Sequence, residues 1–223
     1  MRFLIPLIFG VVGTAILVGL GIWQLQRLEW KEAILDQIDF RLLDAPVALP
    51  LAPTEDADEY LPVKVSGQFQ DRFLDVLVST KETGPGFRAI TVFQTDDGRS
   101  ILVDRGFVPE VEKNDPRSTV AATVTGNLLW PDEVDSFTPA PDLGRNMWFA
   151  RDLPAMADAL ETEPVLVVLR SSSEDNAQAT PMPVDSAGIS NDHLQYAVTW
   201  FGLAIIWVLM TGYFLWRQRR PAN

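Results

Sequence analysis

The sequence predicts a membrane-anchored α+β protein. Two transmembrane helices, N- and C-terminal, flank one mainly antiparallel-β extracytoplasmic domain that carries a short helix. Three observations predict this. Uncharged runs from Phe3 to Gln26 and from Leu194 to Trp216 stand at the two ends of the 223-residue chain, and a helix needs about 20 apolar residues to cross a bilayer. All 30 acidic residues fall between Glu29 and Asp192. That middle stretch is rich in short Val, Ile, Thr and Phe segments bounded by Gly, Pro, Asp or Asn, the pattern of strands joined by turns. The expected division is a first transmembrane helix at 3–23, a domain at 24–192 with a polar linker at 171–190, a second transmembrane helix at 194–216 and a basic tail at 217–223.

Taken in order, the first span should continue as a helix from Trp23 to Asp39, until Pro46, Pro50 and Pro53 break it. Glu55, Asp56, Asp58 and Glu59 form an acidic loop. Strands are expected at Leu61–Phe69, Arg72–Ser79, Phe87–Thr95, Ser100–Val108 and Val120–Leu129. Val63, Val65 and Gly67 alternate with Lys64 and Ser66, the period of a half-exposed strand. Asp96-Asp97-Gly98 is a hairpin signal. A short helix at Leu153–Leu160, which Asp152 is placed to cap, precedes a strand at Pro164–Leu169. Its Leu166–Leu169 run suits a central strand. An antiparallel sheet or partly closed barrel with a peripheral helix fits these spacings, and Ser171 to Ser190, polar and aperiodic, reads as a linker.

Charge narrows the function. Between the two runs 14 basic residues face 30 acidic ones, a net charge of −16. Such a domain repels nucleic acid and an anionic membrane surface. Two spans put both termini on one side, and the positive-inside rule assigns Arg217, Arg219 and Arg220 to the cytoplasm, leaving the domain outside it. The first run is longer than a signal-peptide core and no A-x-A site follows it, so it reads as a retained anchor. No Arg- and Ser-rich presequence precedes it, which favours a bacterial inner membrane with the domain in the periplasm. With no cysteine, covalent haem attachment through C-x-x-C-H is excluded.

The chain has a single histidine, His193, one residue before the second run. Histidine suits metal or haem iron at neutral pH. At about 100° per residue, His193, Ala197, Trp200, Ala204, Trp207 and Thr211 share one helix face. An imidazole thus sits above two indoles, with alanines that leave room. A flat apolar macrocycle could lie there with its iron on His193. The alternative is plain helix packing, since alanines at this spacing let helices approach. The first span carries Gly10, Thr14 and Gly21 on a comparable stripe, whose partner is the Ala197/Ala204 face or an integral subunit of another protein.

Elsewhere the residues point to structure. Gly84-Pro85-Gly86-Phe87 reads as a turn. Asp104 and Arg105, pointing to opposite faces of a strand, each need a partner elsewhere, so Arg105 is expected in a structural ion pair. The Glu55–Glu59 loop lacks the ligand spacing of a calcium loop. No Walker loop or G-x-S-x-G is present, so the chain does not read as an enzyme.

Five blocks together resemble the surfeit locus protein 1 family of cytochrome c oxidase assembly factors: GIWQLQRLEWK (Gly21–Lys31), GPGF (Gly84–Phe87), ILVDRGFVP (Ile101–Pro109), WFARDLPAMA (Trp148–Ala157) and NDHLQYAVTWFGLA (Asn191–Ala204). They stand in the family's order and span nearly the whole chain. Phe107 departs from the family's usual Trp, and Asp192 from a frequent Asn. The resemblance implies a factor that binds haem a non-covalently and helps deliver or insert it into subunit I of cytochrome c oxidase, with haem a synthase as a candidate partner beside the lipid bilayer. It points to His193 as axial ligand to the haem iron, with Trp200 beside it on the same face. The alternative is a scaffold that holds an oxidase assembly intermediate open without binding haem.

Overall fold

The structure is a computed structural model that describes residues 3–80, 83–113, 115, 117, 119–175, 177–186 and 189–219. Arg220 and the Arg219 side chain, used above for orientation, lie outside the described residues, as does the end of the expected tail. Two compact units form, one from residues 1–37 with 186–223 and one from 38–185.

The first unit is a helix pair. Helix α1 runs unbroken from Leu4 to Leu43, joining the expected span and its continuation. Its one proline, Pro6, lies in the first turn, where a missing N–H costs nothing. The last helix, His193–Arg219, begins at the histidine. Both helices are long and apolar enough to cross a membrane. Large apolar side chains such as Phe9, Val198, Leu209 and Met210 stand more than half exposed along them.

The second unit is built on a barrel. Its elements are β1 (Val47–Ala48), α2 (Glu55–Asp58), β2 (Pro62–Thr80), β3 (Gly84–Thr95), β4 (Ser100–Pro109), β5 (Val120–Leu128), β6 (Met147–Trp148), α3 (Leu153–Leu160) and β7 (Leu166–Ser172); the C-terminal helix is α4. Strands pair in the order β2-β3-β4-β7-β5, and β5 returns to β2, which closes the ring. The two segments expected at 61–69 and 72–79 are one strand. Its register shifts between Phe69 and Phe73, and such an irregularity bends a strand. Residues 62–69 therefore pair with β5 while the strand continues along β3.

The sheet is mixed, which corrects the expectation of a mainly antiparallel one. β4 pairs parallel with β7, and β1 and β6 both pair parallel with β2. Parallel neighbours need a crossover. The chain from β5 through β6 and α3 supplies it, bringing β7 in between β4 and β5. That connection is long-range, and no local pattern in β7 announces it.

The core has two layers that follow the period of two. Phe93, Ile101, Val103, Val167 and Leu169 join one cluster with Val63, Phe69, Val124 and Leu128. Their neighbours Val92, Leu102, Leu166 and Val168 join Leu153, Met156 and Leu160 of α3 in the other. β4 and β7 are thus buried on both faces, which explains their unbroken apolar runs. α3 keeps its expected bounds because its signals are local. Asp152 Oδ1 accepts from the N–H of Ala155 at 3.1 Å, and Glu161 ends the helix in a left-handed conformation.

The segment read as a linker is largely bound to the domain. Ser171 and Ser172 finish β7. Phe107 N–H donates to Thr180 O at 2.7 Å, and Thr180 N–H returns a bond to Phe107 O at 2.9 Å. Gly106 makes this close approach possible: its φ is +103°, and a Cβ there would collide with the Thr180 carbonyl. Apolar residues separated by prolines and serines pack without periodicity, so nothing in 171–185 reads as a strand.

Candidate functional site

The helix pair holds the only histidine. Helices α1 and α4 run antiparallel, with Gly10 against Thr211, Gly13 against Trp207 and Gly21 against Phe201. A Cβ at Gly10 or Gly13 would collide with these side chains, so glycine sets how closely the helices approach. The Gly10 carbonyl accepts from Thr14 Oγ1 at 2.8 Å and from Trp207 Nε1 at 3.1 Å. The second bond gives the indole N–H a partner inside an apolar seam. Ala197 and Ala204 are 1% and 5% exposed.

This packing changes what the His193 face can do. α1 takes part of the room that Ala197 and Ala204 leave, packing Gly10 and Gly13 on Thr211 and Trp207. Open space lies beside the seam in apolar grooves, one of about 410 Å³ between Gly13, Ile16 and Leu17 on one helix and Leu203, Ile206 and Met210 on the other, and one of about 560 Å³ that Gly10, Thr14, Val208 and Thr211 line. His193 and Trp200 are half-buried, as are Trp207 and Thr211 further along the same face. The first two remain reachable at the end of α4 where the helix starts.

His193 is held by a residue that the motif reading passed over. Its Nδ1 lies 2.7 Å from Oε1 of Gln24, and Gln24 is 8% exposed. A carbonyl oxygen only accepts, so this contact is a hydrogen bond in the tautomer that carries the proton on Nδ1. In the neutral ring Nε2 then keeps its lone pair, the arrangement that metal-binding histidines require. A signal for Gln24 exists in the sequence. At about 100° per residue it falls within about 60° of Gly21 and 40° of Gly10, on the stripe that packs against α4.

In the barrel, two of the resembling blocks, and Arg88 just after a third, meet at one carboxylate. Asp104 is fully buried. Its Oδ2 accepts from Arg88 Nη1 at 2.6 Å and Arg151 Nη1 at 3.2 Å, and its Oδ1 accepts from Gly106 N–H at 3.0 Å. Arg151 also donates to Glu133 at 2.5 Å. Burial pushes the Glu133 carboxyl up, but the bonds and charge of Arg151 outweigh it and hold it below the ordinary value. For Arg151, burial lowers and Glu133 and Asp104 raise, with a net rise. Gly86 packs on the Phe107 ring, so the GPGF turn and the residues after Arg105 also touch.

Arg105 finds the partner expected for it. Its Nη2 lies 2.5 Å from Glu174 Oε2, both side chains are almost fully buried, and its guanidinium stacks 4.4 Å from the Phe69 ring centroid. Arg117 pairs with Asp75 at 2.9 Å in the same manner. Burial raises the Asp75 carboxyl against the opposing charge of Arg117 and Lys113, and it lowers both guanidinia against their carboxylate partners. Both are buried ion pairs of the barrel, and each guanidinium keeps one buried nitrogen, Arg105 Nη1 and Arg117 Nε, without a hydrogen-bond partner among the described residues. Among the described residues no three His, Cys, Asp or Glu side chains gather as a metal-binding group.

Comparison with known proteins agrees with the blocks that meet here. The SURF1 family model matches residues 11–205. The chain is 34% identical over 216 residues to human surfeit locus protein 1, covering 83% of this chain and 69% of that protein. It is 33% identical over 214 residues to the Xenopus tropicalis protein of the same name, covering 83% and 67%. A SURF1-like protein of Rickettsia felis is 31% identical over 218 residues, covering 93% and 95%. Matched from the first helix through the barrel and into the second helix, this chain belongs to the SURF1 family.

Proposed function

We propose that the chain is an assembly factor for a haem–copper terminal oxidase that binds haem a through His193 and assists its delivery to, or insertion into, subunit I. Family membership supports the assembly role. The observation that carries the haem reading is the Gln24–His193 contact of 2.7 Å: it leaves Nε2 free to ligate, on a side chain that is still partly exposed. The donor set fits an axial ligand to haem iron. Bound haem would supply the iron; the protein supplies the nitrogen, its orientation and, at Trp200, an aromatic neighbour. No residue is assigned a catalytic step.

One observation favours the second reading, a haem-free scaffold that holds an assembly intermediate open. α1 packs on the face between Ala197 and Thr211 through Gly10, Gly13 and Gly21, so the pair is well built for packing. The readings part in the cell. Without this chain, and with no paralogue, oxidase should show reduced haem occupancy while its subunits are made and inserted normally. Oxidase of full haem content and activity in such cells would defeat the assembly role itself.

In this reading both helices span the bacterial inner membrane, both termini are cytoplasmic and the acidic barrel is periplasmic. The exposed apolar side chains of α1 and α4 support the anchoring, and the basic C-terminal end supports the orientation. Aspartate 185 replaced by cysteine should react with an impermeant thiol reagent in cells whose outer membrane alone is permeabilised. Labelling that needs a broken inner membrane would reverse the topology.

A further inference from the structure

We propose that Gln24 is a positioning residue that fixes the tautomer of His193, presenting Nε2 rather than Nδ1 to a metal. The inference deepens the haem reading and rests on it. Gln24 is an amide almost fully buried between two apolar helices. A buried amide is costly unless its hydrogen bonds are made, and here the bond made is to His193. It belongs to α1 and His193 to α4, so the contact exists only when the two helices are paired. The site is therefore assembled by packing: Gly10, Gly13 and Gly21 set the separation at which the Gln24 side chain meets the imidazole.

The chemistry follows from what each atom can do. Oε1 accepts the Nδ1 proton, so Nε2 keeps the lone pair in the same neutral ring. In water the opposite tautomer competes, with the proton on Nε2 and the free lone pair at Nδ1. An acceptor on the distal N–H also makes the imidazole a stronger donor, which favours the oxidised state of a ligated iron. Gln24 touches no ligand and acts only through His193.

The single histidine makes the test direct. The full chain, labelled with ¹⁵N-histidine and purified through a tag without histidine, is placed haem-free in lipid nanodiscs. Its two ring nitrogens give the only imidazole signals. Wild type should show a protonated Nδ1 and an unprotonated Nε2. Gln24→Met keeps volume and helix propensity but offers no acceptor, and should shift the ring toward the Nε2–H tautomer. Gln24→Glu should restore Nδ1–H. With haem a bound, Gln24→Met should lose about 10- to 100-fold in haem affinity, as loss of such a partner usually does, and raise the midpoint potential.

A wild-type ring protonated at Nε2 would overturn the Gln24 role, even if Gln24→Met failed to fold, and would leave haem binding by His193 standing. The expected tautomer together with full haem retention by His193→Ala would remove the haem reading and the positioning role with it. An unchanged tautomer in folded Gln24→Met would show that Gln24 is a packing residue only.

Discussion

Asp104→Ala should cost the barrel about 3–5 kcal/mol, the usual penalty for removing one partner of a buried charge pair. The change strands two guanidinia, Arg88 and Arg151, whose side chains are only 16% and 12% exposed. It also removes the acceptor for Gly106 N–H, at the residue whose positive φ lets the chain approach Thr180. For a unit of this size the melting temperature should fall by on the order of 10 °C. Asp104→Asn keeps an acceptor oxygen but not the charge, and should fall between. The control is Arg145→Ala, which breaks a pair 3.7 Å apart with the arginine 78% exposed and should change stability by no more than about 1 kcal/mol. Thermal unfolding of the purified full chain reads all three. If Asp104→Ala melted with Arg145→Ala, the convergence of Arg88, Arg151 and the Gly106 N–H on this carboxylate would have no bearing on stability.

The same carboxylate shows what a sequence carries and what it withholds. Asp104 and Arg105 sit on opposite faces of an apolar strand, so both needed partners at a distance; that much is periodicity. Which partners they found is topology. Arg88 lies across a hairpin, but Arg151 and Glu174 reach the site only through the α3 crossover and the parallel β4–β7 pair. The α3 bounds were legible because Asp152 and the apolar spacing are local. The bent β2 reads as two strands in the sequence because Gln70 and Asp71 interrupt an apolar pattern while the backbone continues. β1 and β6, two residues each, are too short to carry any period.

At the helix pair the two spans, the small-residue stripe and the lone histidine were all plain in the sequence. Gln24 was not, because a single polar residue near the end of a span resembles an interfacial residue when its helix is read alone. Only the register of the antiparallel pair, set by Gly10, Gly13 and Gly21, brings it to His193. The same register packs α1 onto the Ala197–Thr211 face, where the sequence suggests room for a macrocycle.

His193→Ala should abolish haem retention while leaving the chain folded and inserted. The substitution removes a half-exposed side chain, so little packing is lost. It does leave Gln24 Oε1 without its partner, a cost of about 1–3 kcal/mol, which the helix seam from Gly10 to Phe201 should absorb. Trp200→Ala should weaken retention less, since an aromatic neighbour contributes contact and not ligation. With no cysteine to tether it, the haem should be fully extractable by acidic acetone. The decisive measurement is the visible spectrum of the full chain purified from a host that makes haem a. The account predicts a Soret band in wild type that is absent from an equally folded His193→Ala. A wild type that purifies haem-free from such a host, or a His193→Ala variant that keeps its full Soret band, would contradict it.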